Sequence, residues 1–147
     1  MATEPKMVKT LDCFQGLSEK QIQAIAGISN SVCYLPGHVL FNQGDHGKYL
    51  YHLIDGDIEV SYQKGESGLR QVDIVSCQEV VGCAALLPPY TYTATETCLT
   101  EVEVLEIEVD AMRELIEKDP QLGLILQEFI MKKLNERILK LRSKVLG

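Results

Sequence analysis

Glycine-centred turns recur through the middle of this 147-residue chain and limit what it can fold into. Pro36-Gly37, Gln43-Gly44-Asp45 with Gly47, Asp55-Gly56 and Lys64-Gly65-Glu66-Ser67-Gly68 separate short runs rich in Val, Ile, Leu and Tyr. Asp55-Gly56 lies between Leu50–Ile54 and Ile58–Tyr62, a strong hairpin signal, because Gly accepts the positive φ such turns need. Val72–Val75 and Val80–Val81 follow, then strand segments over Thr93–Leu99 and Glu101–Val109. In the last of these, Val102, Val104, Ile107 and Val109, with Leu105 beside them, alternate against Glu101, Glu103, Glu106 and Glu108. Regularly spaced short strands joined by turns predict a double-stranded, jelly-roll-like β-roll over residues 32–109.

Helical segments flank the roll, so the expected class is mainly β with flanking α. In the N-terminal part, residues 9–28, Ser18 followed by Gln21 forms a capping box that opens a helix over Glu19–Ala26. Ile22 and Ile25 give that helix an apolar stripe, with Phe14 and Leu17 placed to staple its start. In the C-terminal part, residues 110–147, Asp110 is placed to cap a helix over Ala111–Lys118. Asp119-Pro120 then starts a long helix towards Val145, with Pro where its missing N–H costs nothing. Leu124, Met131, Leu134, Ile138, Leu141 and Val145 follow the three-and-four spacing of a coiled-coil seam. Leu122, Leu126, Phe129 and Ile130 form a second stripe that can pack on the roll. The chain is therefore expected to be one domain over 1–147 and a homodimer through its long C-terminal helix. The basic run Lys132, Lys133, Arg137, Lys140, Arg142 and Lys144 is expected to be the solvated flank of the seam.

The net charge of −7 argues against a nucleic-acid partner, which needs cations to neutralise phosphates. No apolar stretch approaches the length of a membrane span, and Met1–Thr10 lacks an apolar signal core. Cys13, Cys33, Cys77, Cys83 and Cys98 are odd in number and lack paired short spacings, which predicts reduced thiols and a cytoplasmic protein. His38, His46 and His52 do not have metal-ligand spacing, and no metal site is expected. No nucleophile–base set, phosphate loop or carboxylate pair is visible, so the chain is not expected to be an enzyme.

The run from Pro36-Gly37 through Gln43-Gly44-Asp45 and Tyr49-Leu50-Tyr51-His52-Leu53-Ile54 to Gly56-Asp57-Ile58-Glu59-Val60 resembles the cyclic-nucleotide-binding domain family. That family includes catabolite-activator-type regulators and the regulatory subunits of cyclic-nucleotide-dependent kinases. The resemblance implies a ligand pocket formed by Val60, Val72, Gly82, Cys83, Ala84, Ala85, Leu86, Tyr92, Thr93 and Ala94. In the family's ligand cassette a glutamate holds the ribose hydroxyl and an arginine holds the cyclic phosphate. Here Cys83 stands in place of the glutamate and Tyr92 in place of the arginine. Hydrogen bonds to charged groups are each worth about 1.5–3 kcal/mol, so their loss predicts cAMP or cGMP affinity weaker by roughly two orders of magnitude or more. Arg70 is the nearest arginine in sequence that could substitute, while Tyr92 or Thr93 could offer a hydroxyl.

These features predict a non-catalytic sensory or regulatory module. Its expected ligand is a cyclic nucleotide or another small anion, and its downstream protein is unknown. One alternative is an interaction domain whose pocket is degenerate, plugged by Tyr90 and Tyr92. Another is a thiol or haem sensor built on Cys77, Cys83 and Cys98. In the DNA-binding relatives a helix-turn-helix follows the long helix, whereas this sequence stops at Gly147, so a transcription factor is not expected.

Overall fold

A computed structural model describes residues 4–147, so Met1–Thr3, the start of the stretch read as lacking a signal core, lie outside the described residues. The chain opens with helix α1 (Pro5–Lys9), a 3-10 turn at Asp12–Phe14 and helix α2 (Glu19–Gly27). The Ser18–Gln21 capping box forms in both directions, and α2 buries Ile22, Ile25 and Ala26. Helix α1 has no counterpart in the sequence reading; it is one turn long and buries Val8.

Eight strands follow: β1 (Ser29–Tyr34), β2 (Val39–Phe41), β3 (Tyr49–Asp55), β4 (Ile58–Tyr62), β5 (Arg70–Val75), β6 (Val80–Val81), β7 (Thr95–Cys98) and β8 (Val102–Glu108). They form two four-stranded antiparallel sheets, ordered β1-β8-β3-β6 and β2-β7-β4-β5. This is the β-roll. Asp55-Gly56 joins β3 to β4 with Gly56 at φ +97°, and a side chain there would run into the Glu101 carbonyl and Val102. That turn needs glycine for both conformation and space. Consecutive residues of a strand face opposite ways, so the full burial of both Val104 and Leu105 means that β8 is covered on both faces. His52 sits opposite Leu105 in the ladder, its ring about 6 Å from those of Phe14 and Phe129.

Helix α3 (Val109–Lys118) starts two residues earlier than the sequence suggests. Glu108 occupies its N-cap position without a side-chain cap, and Asp110 lies inside the first turn, paired with Arg113. Asp110 therefore acts on the positive helix end as a charge, not as a cap. Asp119 does cap helix α4 (Pro120–Leu146), accepting from the Leu122 N–H. The β7 strand is shorter than the expected Thr93–Leu99, because Tyr92 to Ala94 line a cavity instead of pairing in the ladder.

Helix α4 carries two faces, as its two apolar stripes require. Leu122 and Leu126 are buried, with Phe129 and Ile130 half-buried beside them. Leu124, Met131, Leu134, Ile138, Leu141 and Val145 are all exposed, from 38% for Leu141 to 85% for Val145. The basic residues do not form a solvated flank throughout. Lys133, Arg137, Lys140 and Lys144 face the roll and pair with Glu79 and Asp73. No helix among the described residues is long and apolar enough to cross a membrane.

Candidate functional site

A cavity of about 180 Å³ lies between the β2-β7-β4-β5 sheet, the turn after β6, and α4. Its apolar wall includes Phe41, Val60, Val72 and Val75 from the strands, and Leu134 and Leu141 from α4. Gly82 at φ +81° turns the chain from β6 into a 3-10 helix, Cys83–Leu86. An added Cβ at Gly82 would stand 3.0 Å from the Tyr49 carbonyl and 3.1 Å from the Tyr92 ring. Only glycine fits both that conformation and that approach.

Of the residues named from the sequence, Val60, Val72, Gly82, Cys83, Ala84, Tyr92, Thr93 and Ala94 meet around this cavity. Ala85 and Leu86 do not line it. Ala85 is buried against Gly47, and its carbonyl accepts from Arg113 at 3.3 Å; Leu86 packs against the core. The 3-10 turn rotates these two side chains away from the space that Cys83 and Ala84 face.

Tyr92 is a wall of the cavity, with its hydroxyl already engaged. The Oη donates to the Tyr49 carbonyl at 2.8 Å and accepts from the N–H groups of Tyr49 and Lys48 at 3.0 and 3.2 Å. The ring stacks on Phe41 with centroids 3.8 Å apart. The hydroxyl that the sequence offered to a ligand is thus spent on backbone. Tyr90 does not plug the space; it lies under the Arg113 guanidinium, 4.6 Å from its ring centre. Arg70 is exposed at the start of β5 and is not part of the cavity wall.

The charged groups that line the cavity are not among the site residues read from the sequence. Arg137 reaches in from α4, donating to Glu79 at 3.0 Å and to the Val80 carbonyl, while its buried Nε has no partner. Glu96 on β7 is 7% exposed, and its Oε1 is likewise without a partner. Burial pushes the Glu96 carboxyl up to about 7; Arg137 opposes that rise and Asp73 adds to it. Asp73 also lines the cavity. Burial raises its carboxyl, but the hydrogen bond from Lys140 and the Ile74 N–H, with the charges of Lys140 and Lys144, hold it below the usual range.

The cysteines give little purchase to a thiol sensor. All five are free. Burial pushes the Cys83 and Cys98 thiols up, which keeps them protonated and unreactive near neutrality. Cys77 is exposed and donates to the Ile54 carbonyl at 2.9 Å. Among the described residues no group of three or more His, Cys, Asp or Glu is arranged to hold a metal ion.

Residues 31–119 match the cyclic nucleotide-binding domain family. A CRP-like cAMP-activated global transcriptional regulator from Mycobacterium tuberculosis is 26% identical over 110 residues, which is 75% of this chain and 49% of the regulator. The chain therefore spans about half the length of that regulator. A protein from Geobacter metallireducens GS-15, provisionally named cyclic nucleotide-binding, superposes with a TM-score of 0.81 at 25% identity, over 92% of this chain and 98% of that one. A cyclic nucleotide-binding domain from Methylobacillus flagellatus superposes with a TM-score of 0.80 at 17% identity, over 96% and 79% of the two chains, a likeness of fold.

Proposed function

The chain belongs to the cyclic nucleotide-binding domain family, and from that premise we propose that it is a non-catalytic sensory module whose small ligand enters the roll and is covered by α4. The observation that carries this reading is the open cavity, closed on one side by Leu134, Arg137 and Leu141 of α4. A degenerate pocket would be filled by its own side chains, and Tyr90 and Tyr92 leave this one empty of them. A ligand there touches both the sheet and the helix, so its binding energy biases how α4 sits on the roll. The exposed seam from Leu124 to Val145 makes the same helix the natural output, through pairing with a second copy.

Ordinary cyclic nucleotides are expected to bind weakly. Cys83 carries no charge near neutrality, and Tyr92 offers the phosphate neither a cation nor a free hydroxyl. Arg137 lines the cavity but is already held by Glu79. The test is a melting-temperature titration with cAMP, cGMP and a panel of nucleosides and free bases. A ligand at 100 times its dissociation constant stabilises the fold by about 2.7 kcal/mol. A shift with any member supports the reading. Absence of a shift across the whole panel favours the interaction domain, in which dimerisation alone is the output.

A further inference from the structure

Glu96 is anomalous for a carboxylate in a β-roll. It lies on β7 between two apolar neighbours in the ladder, Phe41 on one side and Val60 on the other. Neither can donate a hydrogen bond. Its side chain is more than nine-tenths buried, lines the cavity, and leaves Oε1 unpartnered. A buried polar atom without a partner costs free energy, and a purely structural role would be served better by Val or Thr. The charged or titratable groups around it are Asp73 on β5, Cys83 at the turn and Arg137 on α4. The Arg137 terminal nitrogen is engaged by Glu79 and the Val80 carbonyl, while its Nε–H is buried with no acceptor. The cavity therefore presents one carboxyl in want of donors and one N–H in want of an acceptor. An anion would meet Glu96 and Asp73 at close quarters, so a bare phosphate is a poor complement.

We propose that Glu96 selects the ligand of this cavity, and that the ligand offers it N–H donors beside an acceptor for Arg137, as on the amide or amidine edge of a nitrogen heterocycle. Such an edge occurs on a free base or on the base of a nucleotide, and the volume of about 180 Å³ suits a single ring system better than a large ligand. This rests on the reading that the cavity holds a ligand at all.

The experiment compares wild type, Glu96→Gln and Glu96→Val by calorimetry and melting, using adenine, guanine, cytosine, cAMP, cGMP and inorganic phosphate as probes. The expected result is that at least one heterocycle-bearing probe binds wild type and loses roughly tenfold to a hundredfold in affinity in Glu96→Val. Glu96→Gln, which keeps one acceptor and adds a donor, should fall between them. The unliganded Glu96→Val protein should melt no lower than wild type, which separates lost recognition from lost folding. Binding of a free base assigns the ligand to the uncharged class; binding of the cyclic nucleotides alone assigns the same contact to a nucleotide's base. A probe that binds wild type and Glu96→Val within twofold of each other overturns this inference and leaves the ligand reading standing, as does phosphate binding as tightly as the heterocycles. If no probe moves wild type, the ligand reading itself fails, and this inference with it.

Discussion

Two buried side chains without hydrogen-bond partners pull the pH dependence of stability in opposite directions. Burial lowers the His52 imidazole from 6.5 to about 4, with Asp12 partly opposing it. The folded protein therefore resists protonation that the unfolded chain accepts, and stability falls as pH drops from 6.5 to about 4. Burial raises Glu96 from 4.5 to about 7, so its folded form keeps a proton that the unfolded chain gives up. Its contribution is fully present below 4.5 and is lost as pH rises through 7. Each effect is about 3 kcal/mol at its limit, and they offset one another between pH 4.5 and 6.5. Glu96→Gln removes one side of this balance. Urea unfolding across pH 4 to 7.5 should show the variant losing stability on acidification more steeply than wild type over that window. Parallel curves would contradict the account of both residues. Glu96 itself was legible by parity with Ala94, a predicted pocket residue two positions earlier, because strand alternation puts the two on the same face. Its polar neighbours Thr95 and Thr97 masked that signal.

The grip of α4 on the roll depends on its cations. Lys133, Arg137, Lys140 and Lys144 fall four, three and four residues apart, one helical stripe that meets Glu79 and Asp73. That spacing was present in the sequence, but a basic run beside an apolar seam reads equally well as solvated, and only the fold supplies the opposing carboxylates. The Asp73 carboxylate is 7% exposed while Lys140 and Lys144 are about half exposed, so its neutralisation frees two lysines to solvent at modest cost. Asp73→Asn should change global stability by about 1 kcal/mol or less, yet quicken amide exchange in the last two turns of α4. The segment around Leu122 and Leu126, anchored by burial, should exchange as before. Unchanged exchange at residues 140–146 would show that the lysines do not hold the helix. The roll, by contrast, was legible in most of its strands and in the Asp55-Gly56 hairpin, because turn glycines and alternation are local signals. Asp110 and the start of β7 were misplaced, because a short polar residue near a helix start and a Thr-rich run each fit two local conformations.

At the scale of the molecule, the cavity and the exposed apolar stripe share one helix. Leu134 and Leu141 line the cavity and are also 40% and 38% exposed, whereas Met131 and Ile138 belong to the seam alone. Such a stripe is too apolar to leave against water, which points to pairing of two copies about a two-fold axis. Sedimentation of Met131→Glu with Ile138→Glu should give half the mass of wild type, with the cavity untouched. Equal masses at the monomer value would remove the dimer. The central claim is that occupancy of the roll is felt by α4. Hydrogen–deuterium exchange with and without the tightest-binding member of the base and nucleotide panel tests it most directly. The account predicts slower exchange at residues 83–86 and 93–96 and along residues 133–141 of α4 in the same sample. Protection confined to the strands, with α4 unchanged at saturating ligand, would contradict it.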